Sequence, residues 1–87
     1  DMQSAADSVR GLVRVPLNQN QFDALVSFVY NVGSGNFAGS SLLRRLNHRR
    51  YRRARWSLAQ WVYGVDGKLL GLVRRRRAEM RLWRRGP

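Results

Sequence analysis

The apolar positions recur at helical spacing along nearly the whole chain. Ala5, Val9, Leu12 and Val13 fall at i, i+4, i+7 and i+8, which predicts a first helix from about Gln3 to Arg14. Val15-Pro16 stops it, because a residue before proline avoids helical angles. A second helix opens at Asn18, with Gln21 three residues on to complete a capping box. Leu17 and Phe22 occupy the staple positions around that cap, and Asp23 reads as a residue of the helix start. Leu25, Val26, Phe28, Val29, Tyr30 and Val32 then cover most of the circumference, the mark of a helix enclosed on most sides. Gly33-Ser34-Gly35-Asn36 ends it.

Three shorter patterns follow. Ser40 or Ser41 caps a helix that carries Leu42, Leu43 and Leu46 and breaks at Asn47-His48. A fourth helix is predicted from Tyr51 to Tyr63, with Ala54, Leu58, Trp61 and Val62 inward, and Gly64-Val65-Asp66-Gly67 is a turn. The last runs from Leu70 to Arg85, with Leu72, Val73, Met80 and Trp83 set against a face of arginine. The fold class is therefore all-α: a compact bundle of about five helices around a central apolar one. Threonine and isoleucine are absent, so the β-branched alternation of strands is missing too.

Composition narrows the chemistry. Eighty-seven residues make a single domain that buries roughly 60% of its unfolded surface. One histidine and no cysteine argue against a metal site, and no cofactor motif occurs. No run is long enough to span a membrane, and no signal peptide opens the chain. Asp1 precedes Met2, so the numbering reads as starting inside a longer protein. Seventeen basic residues, sixteen of them arginine, face five acids, and the net +12 charge draws polyanions.

The acids offer little catalysis. Glu79 is the only glutamate and reads as a solvated or arginine-paired structural acid, with Arg75 four residues back as its partner. Asp66 belongs to a turn, and His48 to a helix end with no carboxylate nearby in sequence to orient it. Spacing alone thus yields a basic helical bundle with a polar step, Tyr30-Asn31, at the end of its core helix. Core packing and a plain helix end are the ordinary readings of those two residues.

Two segments carry a resemblance. "PLNQNQFDALVSFVYNVGSGNFAGSSLLRRLN" and "QWVYGVDGKLLGLVRRRRAEMRLW" resemble, in order, the C-terminal lobe of phage-type lysozymes, the endolysin muramidases of glycoside hydrolase family 24. The resemblance implies a bilobal enzyme with its catalytic residues on an N-terminal lobe and peptidoglycan in the cleft. On that reading residues 1–15 end a connector helix, residues 17–87 form the C-terminal lobe, and the catalytic lobe is absent. Tyr30, Asn31, Ser40 and Ser41 then correspond to glycan-contacting positions. The family's Glu, eight residues, Asp or Cys, five residues, Thr motif is missing, since no threonine occurs and Glu79 stands too near the end. The expectation is a peptidoglycan-binding lobe with no catalytic residue of its own. It would be made in the cytoplasm of a phage-carrying bacterium and act at the periplasm and cell wall.

Two alternatives follow from charge. Arg74, Arg75, Arg77 and Arg81 are candidate contacts for an anionic polymer, membrane or lipopolysaccharide, which would suit a cationic membrane-active antibacterial protein. Nonspecific nucleic-acid binding ranks last, and no motif for specific binding occurs. Besides peptidoglycan, candidate partners are a missing N-terminal lobe or a second copy, the latter if Trp61 or Phe28 is exposed.

Overall fold

A computed structural model describes residues 1–85; residues 86 and 87 of the expected single domain lie outside the described part. Six α-helices occur in the described residues: α1 (Met2–Leu12), α2 (Gln19–Val32), α3 (Ser34–Ala38), α4 (Ser41–Asn47), α5 (Tyr51–Ser57) and α6 (Leu70–Arg85). A 3-10 turn, Leu58–Gln60, extends α5, and a hairpin of β1 (Tyr63–Gly64) and β2 (Gly67–Lys68) precedes α6.

The second helix forms as its sequence dictates. The Asn18 carboxamide accepts from Gln21 N at 2.8 Å, and Gln21 Oε1 accepts from Asn18 N at 2.9 Å, closing the capping box. Ala24, Leu25, Val26, Phe28 and Val29 are buried. Helices α1 and α6 pack along α2, while α4 and α5 pack on each other beside it. Phe28 sits at the junction, edge-on to Phe37 at 6.3 Å and to Trp61 at 5.5 Å between ring centroids.

Three expectations need correction. Gly33 adopts φ +93°, as expected of a helix stop, but the chain starts α3 at once instead of forming a loop. Phe37 on that short helix is fully buried, and Asn36 Nδ2 donates to Val32 O at 2.7 Å, satisfying a carbonyl at the end of α2. The helix predicted to reach Tyr63 stops earlier. Trp61 leaves helical angles, and its carbonyl accepts from Arg76 Nη1 at 3.2 Å instead of from the next helical turn. The segment then pairs as a hairpin, Tyr63 with Lys68 and Gly64 with Gly67, a minor addition to a fold that is all-α as expected. Two residues per strand are too few to show alternation. Finally, Leu72 and Val73 are only half-buried on α6. Its inward stripe is Arg76, Glu79, Met80 and Trp83, at i, i+3, i+4 and i+7.

Local polar contacts fix the connections. Asn47 Nδ2 donates to Leu12 O at 3.0 Å and its Oδ1 accepts from Arg14 N at 2.8 Å, pinning the end of α1 to the end of α4. The Tyr51 hydroxyl donates to Pro16 O at 2.8 Å. His48 is the α4 cap residue, its Nδ1 lying 2.7 Å from Arg44 O, as its helix-end reading requires.

Arg49, next in the chain, has φ +62°, a left-handed conformation that costs an L-residue roughly 1–2 kcal/mol. Arg49→Gly is expected to raise the unfolding free energy by up to about 1 kcal/mol in urea titrations, the relief being partly offset by glycine's greater freedom when unfolded. A loss of stability would show that the Arg49 side chain contributes more than the strain it carries.

Candidate functional site

Helix α2 ends in two exposed residues that face different neighbours. Tyr30 is 54% exposed and lines a shallow cavity of about 160 Å3 with Asp1 and Ser4 of the α1 start and Gly33 and Ser34 beyond α2. Ser34 and Ser8 hydroxyls meet at 2.5 Å beside it. Asn31 faces α6, where its Oδ1 accepts from Arg76 Nη2 at 3.0 Å. Among the described residues nothing engages Asn31 Nδ2.

Arg76 holds this end together. It is 1% exposed. Its Nη1 donates to Trp61 O, its Nη2 to Asn31 and to Glu79 Oε2 at 3.0 Å, and its Cζ lies 4.9 Å from the centre of the Phe28 ring. Its Nε, 2.7 Å from Glu79 Oε1, faces a carboxylate oxygen that is likewise without another partner. The Ser27 hydroxyl donates to Glu79 Oε2 at 2.7 Å. The sequence pointed to Arg75 as the partner and allowed a solvated acid. Instead Glu79 is buried against Arg76, one residue later, and Arg75 is exposed. Only the tertiary position of α6 against Phe28, Asn31 and Trp61 selects which arginine of the run turns inward.

The constellation therefore joins three elements: the end of α2 through Asn31, the segment before the hairpin through Trp61, and α6 through Arg76. Trp61 is half-buried and Tyr63, just beyond it, is exposed. The sequence reading took Trp61 for a plain core residue and gave Arg76 no role. Phe28, considered as an association surface, is fully buried.

The remaining candidates lie elsewhere. Ser40 is buried as the α4 cap: its hydroxyl donates to Phe37 O at 2.7 Å and accepts from Leu43 N at 3.1 Å, so both its roles are satisfied internally. Ser40 is thus the helix cap that its place in the sequence suggests. Ser41 is half-buried in the first turn of α4. Arg74, Arg75, Arg77 and Arg81 are all exposed on α6. The aspartates are at surface positions: Asp1 caps α1, Asp7 pairs with Arg10 at 3.3 Å, Asp23 accepts from Gln19 at 2.8 Å, and Asp66 sits in the hairpin turn. No group of three or more His, Asp or Glu side chains among the described residues could hold a metal ion, and no described helix is long and apolar enough to cross a membrane.

The helical architecture is shared with solved lysozymes. The sequence profile of the phage lysozyme family matches residues 1–79. The chain belongs to that family. It is 49% identical to the endolysin of Salmonella phage P22 over 78 residues, covering 88% of this chain and 53% of that protein. With the SAR-endolysin of Escherichia phage Mu it shares 40% identity over 83 residues, 95% of this chain and 48% of the other. The chain thus spans about half the length of these curated relatives. Among solved structures, a P22 lysozyme superposes with a TM-score of 0.89 at 42% identity, covering 95% of this chain and 56% of that one. The muramidase domain of SpmX from Asticaccaulis excentricus gives 0.90 at 39% identity, covering 99% and 60%.

The energetics of the pair are testable. Arg76→Met leaves the Glu79 carboxylate buried without its cation and is expected to cost about 3–5 kcal/mol, whereas Arg76→Met with Glu79→Leu should recover most of that loss. Additive losses in denaturant titrations would show that the two groups do not act as a unit. The pair also sets a pH dependence. Burial pushes the Glu79 carboxyl above the ordinary glutamate value, against the downward pull of the Ser27 hydroxyl and the Arg76 guanidinium. A raised folded value means the stabilising contribution is fully present below the unfolded pKa and is lost as pH rises through the folded one. Subtracting the pH–stability profile of Glu79→Gln from that of the natural chain should leave a decline with rising pH in that window. A flat or rising difference contradicts the assignment.

Proposed function

We propose that this chain is the glycan-binding helical lobe of a phage-type muramidase, acting on bacterial peptidoglycan at the cell wall. The 87 residues would bind glycan without hydrolysing it on their own. Family membership and the wall-lytic names of its relatives support the substrate class. The observation that carries the reading is the fixed Asn31 carboxamide beside Trp61.

Arg76 occupies Asn31 Oδ1, and this orients the amide so that its Nδ2 can donate outward to a sugar hydroxyl or N-acetyl oxygen. The half-buried Trp61 and the exposed Tyr63 offer flat apolar surface to pyranose faces, and Tyr30 exposes its ring on the side of the α1 start. A binding site of this kind, mostly preformed and with a few directed polar groups, needs little rearrangement to take a ligand.

Glycoside hydrolysis needs a carboxylic acid able to protonate the leaving oxygen, with a second carboxylate near the sugar. Glu79 has an elevated pKa but both its oxygens are turned to Arg76 and Ser27 inside the protein. The four aspartates stand at surface positions that pair no two of them at the candidate site. The residues present therefore position substrate and supply no general acid.

With purified peptidoglycan, the chain is expected to co-sediment and to release no reducing ends. Asn31→Ala should weaken that binding about tenfold, the effect of losing roughly 1.4 kcal/mol, with thermal unfolding unchanged. Reducing-end release by the natural chain that disappears in Glu79→Gln would overturn the non-catalytic reading. Undiminished binding by Asn31→Ala would move the glycan site elsewhere.

A further inference from the structure

The arginines are not spread evenly over the surface. Residues 44 to 55 hold seven arginines and no acid. Two adjoining depressions that share Arg50 lie along this stretch, one bounded by Arg44, Arg45, His48 and Arg50, the next by Arg49, Arg50, Tyr51, Arg52 and Arg53. A third, of about 240 Å3, lies between α5 and α6 and is lined by Arg55, Arg77, Arg81 and Arg84 with Met80.

The third depression has the features of a built anion site. Arg55 is half-buried, and its Nε donates to Met80 O at 2.8 Å, so the guanidinium is anchored. Its Cζ also lies 5.3 Å from the centre of the Trp56 ring. Burial, and to a lesser degree the like charge of the neighbouring Arg84, pull the Arg55 pKa below its ordinary value. The ion pairs among the described residues, Asp7 with Arg10 and Glu79 with Arg76, leave all four lining arginines without an acid. Four uncompensated guanidinia around one concavity repel each other until an anion enters, and guanidinium forks suit phosphate oxygens.

We infer that the groove between α5 and α6 binds the phosphate group of a linear phosphodiester polymer without bases, such as a poly(glycerol phosphate) chain, whose further phosphates follow the arginine-lined depressions along α5. The series of depressions favours a chain over a single small anion. Single-stranded nucleic acid needs successive aromatic platforms. This stretch exposes one such ring, Trp56, at 59%, and Arg55 is stacked on it. A lipid surface needs a cluster of apolar groups to insert. On α5 Trp56 is a lone large exposed apolar side chain, and the exposed Val65, Leu69 and Leu70 lie by the start of α6, about 20 Å along the helix from Arg84. Of the α6 arginines singled out by sequence, Arg77 and Arg81 line the groove, while Arg74 and Arg75 do not.

The full chain can be titrated with poly(glycerol phosphate), following tryptophan fluorescence. The probe has no pyranose ring, so its binding is read independently of any glycan site. Arg55→Gln with Arg84→Gln should weaken binding about tenfold or more, each lost charge-assisted contact to phosphate being strong. Arg10→Gln with Lys68→Gln removes the same two charges from the net +12 at positions outside the groove, and should weaken it less than about twofold. Arg84→Gln alone, which leaves the Arg55 anchor in place, repeats the test if the first pair impairs folding. Equal weakening by both pairs would overturn the site in favour of diffuse charge. Inorganic phosphate binding as tightly as the polymer would reduce it to a free-phosphate site. Tighter, groove-dependent binding of single-stranded oligo(dT) or of phosphatidylglycerol vesicles would assign it to nucleic acid or lipid instead.

Discussion

The arrangement of the chain depends on one buried charge pair. Arg76 and Glu79 occupy two of the four inward positions on α6, where a small domain would ordinarily place leucine. Removing both ions from water costs several kcal/mol apiece, and their attraction does little more than offset that. The pair therefore confers geometry more than stability. Through it α6 is set against Ser27 and Asn31 on α2 and against the Trp61 carbonyl before the hairpin. Packed leucines could hold α6 in place, but they would not fix the direction of an amide.

The rest of the fold follows from that setting. Beyond α5 the chain turns through the 3-10 segment into a hairpin, and Arg76 satisfies the Trp61 carbonyl that this turn leaves without a helical partner. Gly67 at φ +111° makes the turn, and the bare Cα of Gly64 leaves room for Leu69, whose side chain lies 2.5 Å from where a Cβ would stand. Phe28 is enclosed between the guanidinium, Trp61 and Phe37. The central helix is apolar nearly all round because it has neighbours on most sides, and at its polar break the exposed Asn31 meets the buried charge pair.

Much of this was legible in the residues. Capping at Asn18 and Ser40 is local chemistry, with donor and acceptor three residues apart, so the starts of α2 and α4 could be read directly. The inward stripes of α1 and α2 follow from spacing. What spacing concealed was anything decided by distant parts of the chain. Arg76 and Arg75 are chemically identical neighbours, and only contact with residues 45 and 15 positions earlier chooses between them. Phe37 on α3 was hidden behind glycines that signal a loop. The phage lysozyme resemblance rested on segment order, and the profile match over residues 1–79 and the superpositions establish the family.

The central claim is that the charge pair orients Asn31 and is not there chiefly to stabilise the fold. The direct measurement is NMR of the Asn31 side-chain amide in the natural chain and in Arg76→Met with Glu79→Leu. The account predicts that α2 and α6 core resonances are kept in the double variant while the Asn31 side-chain Nδ2 order parameter, high in the natural chain, falls to that of a freely rotating amide. An Asn31 amide equally ordered without the pair would contradict it.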